Sequence, residues 1–74
     1  MSNSITYHLL VVGLENAVDA ALVTAKLEEV PGVYYAHASA QAGRCVVDAD
    51  GDTCDPTQLT TVLALAGYPA EVEY

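Results

Sequence analysis

The sequence predicts an α+β domain made of two similar strand–helix–strand halves. Two stretches carry apolar residues at helical spacing, and a capping residue opens each. Runs of β-forming residues flank both stretches, and Gly or Pro stands at the junctions.

The first run, Ile5-Thr-Tyr-His-Leu-Leu-Val-Val12, reads as a strand that stops at Gly13. Asn16 then serves as an N-cap with Asp19 three residues on. Ala20, Val23, Leu27 and Val30 fall on one helical face, and the helix stops before Pro31-Gly32. Val33 to Ala40 alternates, a turn forms around Gln41-Ala42-Gly43, and Arg44 to Asp48 alternates again, which predicts a hairpin. Asp48-Ala-Asp-Gly-Asp52 reads as a polar turn. Asp55-Pro56-Thr57-Gln58 sets a cap, a proline at the first helical position and an N3 partner. Leu59, Val62, Leu63 and Ala66 follow at helical spacing, up to Gly67. Ala70 to Tyr74 completes the pattern as a last strand. The expected fold is therefore ferredoxin-like βαββαβ, a four-stranded antiparallel sheet with both helices on one face.

Seventy-four residues, without a linker or low-complexity segment, predict one domain spanning residues 1–74. The chain is 53% hydrophobic yet has no Trp and no Phe, so Val, Leu, Ala and Tyr must build the core. A domain of this size buries only about 60% of its unfolded surface, which favours a partner that covers more. Two Lys+Arg against ten Asp+Glu give a net charge of −8, which excludes nucleic acid and anionic membranes as expected partners. The start, Met1-Ser2-Asn3-Ser4, has no basic stretch, and Gly13 breaks the apolar run from Leu9 to Leu14. A signal peptide or spanning helix is not expected. Cys45 and Cys54 lack CxxC spacing and read as reduced thiols of a cytoplasmic protein.

Three segments in register carry a resemblance. Gly13-Leu14-Glu15-Asn16-Ala17-Val18-Asp19 leads through a helix to Pro31-Gly32-Val33, and the chain closes with Ala66-Gly67-Tyr68-Pro69-Ala70. This resembles the heavy-metal-associated (HMA) domains of soft-metal chaperones and metal-pumping ATPases, with their G-M-x-C-x-x-C, P-G-V and A-G-Y segments, from about Ile5 to Tyr74. The resemblance implies a metal loop after the first strand. It also implies that Asn16 and Asp19 stand where the family has its two cysteines. Soft ions such as Cu(I) are held by sulfur, which an amide and a carboxylate do not replace.

Glu15, Asn16 and Asp19 are the candidate ligands for a harder divalent ion at that loop, weighed against ordinary capping of a helix start. Asp48, Asp50, Asp52 and Asp55 echo the start of a calcium loop. Thr53 stands where that loop needs Gly and Leu59 where it needs a bidentate Glu, so these residues read as turn acids. Cys45 alternates with an inward Val47 and reads as a small buried hydrophobe, and Cys54 lies in the loop before the second helix, at the far end from Asn16. His8 and His37 fall on the open sheet face with the third strand between them, roughly 9.6 Å apart, too far to share an ion. No catalytic set and no phosphate loop are recognisable, so an enzyme is not expected.

Apolar surface remains. Leu10, Val12, Tyr35 and Val46 point away from the helices, while Val18 and Leu22 lie off the inner helical stripe. These six are the candidate interface, for another protein or a second copy of the chain. The expected function is a small, soluble HMA-like accessory or interaction module that has lost the soft-metal site and needs no cofactor. The alternative is a metal carrier or chaperone using oxygen and nitrogen ligands for a divalent metal ion at the loop after the first strand.

Overall fold

The chain folds as the alternation requires. The structure is a computed structural model that describes residues 4–73, so the expected strand end at Tyr74 lies outside it. Six elements follow in order: β1 (Ser4–Val11), α1 (Ala17–Glu28), β2 (Val33–Ser39), β3 (Arg44–Asp50), α2 (Pro56–Leu65) and β4 (Ala70–Glu73). The sheet order is β2-β3-β1-β4 with every neighbour antiparallel, which is the ferredoxin-like arrangement. Among the described residues no helix is long and apolar enough to cross a membrane.

One rung shows how the core is made. Ala38 pairs with Cys45, Cys45 with Leu9, and Leu9 with Val72, so a single row of inward side chains crosses all four strands. Val23 and Leu27 from α1, and Leu59 and Leu63 from α2, are fully buried against it. Burial of this kind is the main favourable term in folding, at roughly 1.5–3 kcal/mol per large aliphatic side chain. Cys45 sits in the middle of the seam, and burial pushes its thiol up from 9.0 to about 11.

Several boundaries differ from the sequence reading, three of them for a clear physical reason. β3 runs on to Asp50, where a polar turn from Asp48 was expected, because Ala49 pairs with Ile5 and with Val33 and is fully buried. Partners on both sides outweigh the local turn preference of the aspartates. α1 ends at Glu28, two residues before Val30, which stays buried from the connecting turn. Proline at 31 disfavours helical backbone at Val30. β1 stops at Val11, and the Val12 N–H leaves the ladder to donate to the Pro69 carbonyl.

The connection after α1 needs Gly32. Its φ is +90°, and a Cβ there would stand 3.0 Å from Thr53 and 3.2 Å from Cys54. Both the backbone and the space favour glycine. β2 forms one edge of the sheet, with a bulge between Val33 and Tyr35. The Thr24 hydroxyl of α1 accepts the Ala38 N–H at 3.2 Å, which turns away from β3.

Two stability measurements follow. Asn16 caps α1 by accepting the Asp19 N–H, so Asn16→Ala should lower unfolding free energy by about 1 kcal/mol in urea titration. The Cys45 thiol has a higher pKa folded than unfolded, so its contribution is complete below pH 9 and disappears as pH rises towards 11. Stability followed over that range should fall, and Cys45→Ala should flatten the fall.

Candidate functional site

The loop between β1 and α1 is anchored from below by Leu14, which is buried, and turned by Gly13 at φ +89°. Glu15 and Asn16 stand exposed above it, and Asp19 is half-buried in the first turn of α1. The polar atoms form one network. The Asn16 Oδ1 accepts the Asp19 N–H at 2.9 Å. The Asp19 Oδ2 accepts the Glu15 N–H at 3.2 Å, and its Oδ1 accepts the Tyr68 O–H at 2.6 Å. A carboxylate near a helix N-terminus is further stabilised by the orphan N–H groups and the helix dipole.

Tyr68 was missed as a functional position, although it sits in the Ala66-Gly67-Tyr68 segment. It comes from the connection between α2 and β4, whose own backbone bonds place it: the Tyr68 N–H donates to Leu63 O, and Pro69 O takes the Val12 N–H. Donation to Asp19 raises the Tyr68 pKa, because ionisation would remove the shared proton and set two negative charges together. Two loops distant in sequence are thus tied into one end of the molecule. Its signal was a tyrosine at fixed distance after a helix-ending glycine, with nothing to show which acid it would meet.

The other candidates do not join this site. Asp48 accepts the Thr6 hydroxyl, and Asp50 accepts the Asp52 N–H and the Thr53 hydroxyl. Asp55 caps α2 in a reciprocal box with Gln58. Each acid is accounted for by a strand, a turn or a cap, and among the described residues no three His, Cys, Asp or Glu side chains gather as a metal-binding group. Cys45 and Cys54 are free and buried. Burial raises the Cys54 thiol, and the Asp55 charge raises it further. Cys54 packs beside Gly32, whereas Gly13 packs beside Tyr68, so this thiol lies at the opposite end of the sheet from Asn16. His37 and His8 lie on one rung with Val46 between them, both exposed.

The six interface candidates fall in three places. Leu10, Tyr35 and Val46 lie on the open face of the sheet, where Val46 is half-buried and the other two exposed. Arg44 reaches across this face from β3 to pair with Glu73 of β4 at 3.1 Å. Val18 is 76% exposed, and Leu22 is exposed one turn below it on α1. Val12 belongs to the loop end, beyond the last residue of β1. The exposed Leu65 near the end of α2 was not among the candidates, though it lies about 200° around the helix from buried Leu63 at 100° per residue.

No protein-family model matches the sequence, and no curated protein does. Solved structures do. Oxidized MerP from Ralstonia metallidurans CH34 is similar at 27% identity and a TM-score of 0.91, over 96% of this chain and 99% of that one. A copper binding domain from HMA7, a P-type ATPase, gives 25% identity and a TM-score of 0.89, over 93% of each chain. The N-terminal domain of ZntA in its Zn(II) form gives 29% identity and a TM-score of 0.83, over 97% of this chain and 94% of that one. Over nearly its whole length the chain is a strong structural match to heavy-metal-associated domains.

Proposed function

We propose that the chain is a small non-enzymatic module on the HMA scaffold that no longer carries soft metal ions at the β1–α1 loop and works through protein contact. The observation that supports this most directly is the engagement of Asp19, whose two carboxylate oxygens already accept from Glu15 and Tyr68. Asn16 is likewise engaged as the helix cap. Soft ions select thiolate sulfur, and neither Asn16 nor Asp19 supplies it. The chain's two cysteines are buried in the core and beside Gly32, with raised pKa values that disfavour the thiolate a metal needs. Their free state fits a reducing, cytoplasmic setting.

A second reading keeps metal carriage and changes the ligands. The likeness to a ZntA domain in its Zn(II) form supports it. Glu15, Asn16 and Asp19 would then offer oxygen donors to a divalent ion, at the expense of the cap and of the Tyr68 bond.

Titration with Cu(I), Zn(II), Mn(II) and Ca(II) under reducing conditions separates the two. The proposal expects no binding tighter than micromolar for any of them. One-site Cu(I) binding below micromolar removes it, and one-site binding of a divalent ion that weakens in Asp19→Asn establishes the carrier. The doubly substituted Asn16→Cys/Asp19→Cys chain should acquire tight Cu(I) binding, since the loop otherwise keeps the scaffold's spacing. A folded double variant that ignores Cu(I) would show that the loop backbone differs from the one that holds metal.

A further inference from the structure

A groove of about 450 Å³ lies where the end of α1 meets the first turns of α2, away from the β1–α1 loop. Val30, Pro31 and Val62 form its apolar wall, Thr61 stands at its margin, and Lys26 and Glu29 close the α1 side. Those two charges are opposite in sign and three positions apart, so they offset each other. The surplus charge lies beyond the groove's outer end. There the Asp50 N–H donates to the Gly32 carbonyl at 2.8 Å, and Gly32 packs beside Thr53 and Cys54. This contact gathers Glu28 and Glu29, from the end of α1, with Asp50, Asp52 and Asp55, from the connection that leads into α2. Five of the chain's ten acids thus stand at one pole. Of its two cations only Lys26 lies there, since Arg44 opens β3 at the other end of the sheet and pairs with Glu73.

Two of these acids are placed against local preference. Glu28 is the last residue of α1 and Glu29 its C-cap, at the negative end of the helix dipole, where a cation is favoured and an acid is not. Natural proteins break local rules of this kind at functional sites. We propose that the groove and the acidic pole beside it dock a cationic amphipathic segment of another protein, whose apolar side chains seat against Val30, Pro31 and Val62 while its Lys or Arg side chains meet Glu28, Glu29 and Asp55. The inference rests on the reading of the chain as a module that works through protein contact, and it names the chemistry of the partner.

Charge selects this occupant over the others. A net charge of −8 repels a second copy of the chain and any acidic partner. An uncharged apolar segment would fill the groove and leave the acids unanswered. A segment with both characters satisfies wall and pole together, as when an amphipathic helix lays its apolar face into a groove. The division of labour is the usual one for an interface with an apolar centre and a charged rim. Exposed carboxylates steer the encounter, and the apolar anchors in the groove supply most of the binding energy.

The probe is a synthetic peptide of roughly 14 residues with Leu at helical spacing and Lys elsewhere, set beside one with Ser for Leu and one with Glu for Lys. Each is titrated into the full chain while backbone amide shifts are followed, and Cu(I) is titrated into the same material. The expected result is one-site binding of the Lys–Leu peptide with a dissociation constant on the order of 10 µM, weakening as salt screens the charges. The shifts should centre on Val30, Thr61 and Val62. The Ser and Glu counterparts should each bind at least about tenfold more weakly, because one lacks the anchors and the other the charge. Thr61→Arg, which sets a cation at the groove, should weaken binding by about tenfold. Glu28→Gln/Glu29→Gln should also weaken it by about tenfold while keeping or raising the urea midpoint, since it relieves the helix end. Glu71→Gln/Glu73→Gln makes the same change of net charge on β4 and should cost less than about twofold. Lack of saturable binding overturns the proposal, as do shifts centred on the open sheet face or equal weakening by the two Gln pairs. A chain that binds neither peptide nor Cu(I) fails this proposal alone, whereas one that binds Cu(I) tightly fails the functional reading as well.

Discussion

The pairing of β1 with β3 on one side and β4 on the other is the constraint on which the rest of the structure depends. Leu9 meets Cys45 and Val72, and Val11 meets Ala70, so the inward parity of three strands is fixed by one central strand. A slip of one residue would move Leu10 under the helices and Leu9 into water, and every inward residue of β1 would follow. With no Phe and no Trp, the fully buried core is made of Val, Leu, Ala and Cys, with Tyr7 and Tyr68 packed only at its margin, and these small side chains leave little tolerance for a change of register.

Most of this was legible because the chain is locally consistent. Asn16 and Asp55 are caps in sequence and in structure, and Leu59 and Leu63 lie on the buried stripe the spacing required. What escaped had its cause elsewhere in the chain. Nothing around Asp48-Ala49-Asp50 indicates a strand until Ile5 and Val33 are known to flank it. The loop end shows the same limit: Asp19 reads correctly as a first-turn acid, but its bond to Tyr68 joins residues 49 positions apart, and only the closed fold brings them together. Leu65 lies outside the stripe that builds the core, and helical spacing alone makes it an outward position.

The shape of the β1–α1 loop is set by residues other than those that carry its polar groups. Gly13 makes the turn and Leu14 holds it to the core, and neither depends on what stands at positions 16 and 19. With an amide and a carboxylate there, the loop's polar atoms turn inward to the helix start and to Tyr68. Such bonds contribute modestly to stability, and breaking them leaves a half-buried acid without its donors.

Thr24 has a consequence for behaviour in a crowded solution. β2 is an outer strand, and an outer strand with free N–H groups is a template for adding another chain. Here the Ala38 N–H is already taken by a hydroxyl, Ala36 and Ala38 are buried, and the far margin, β4, carries Glu71 and Glu73. One outward N–H of this flank is therefore withdrawn from sideways pairing by a side-chain oxygen, while the other flank presents like charges to any strand of the same kind.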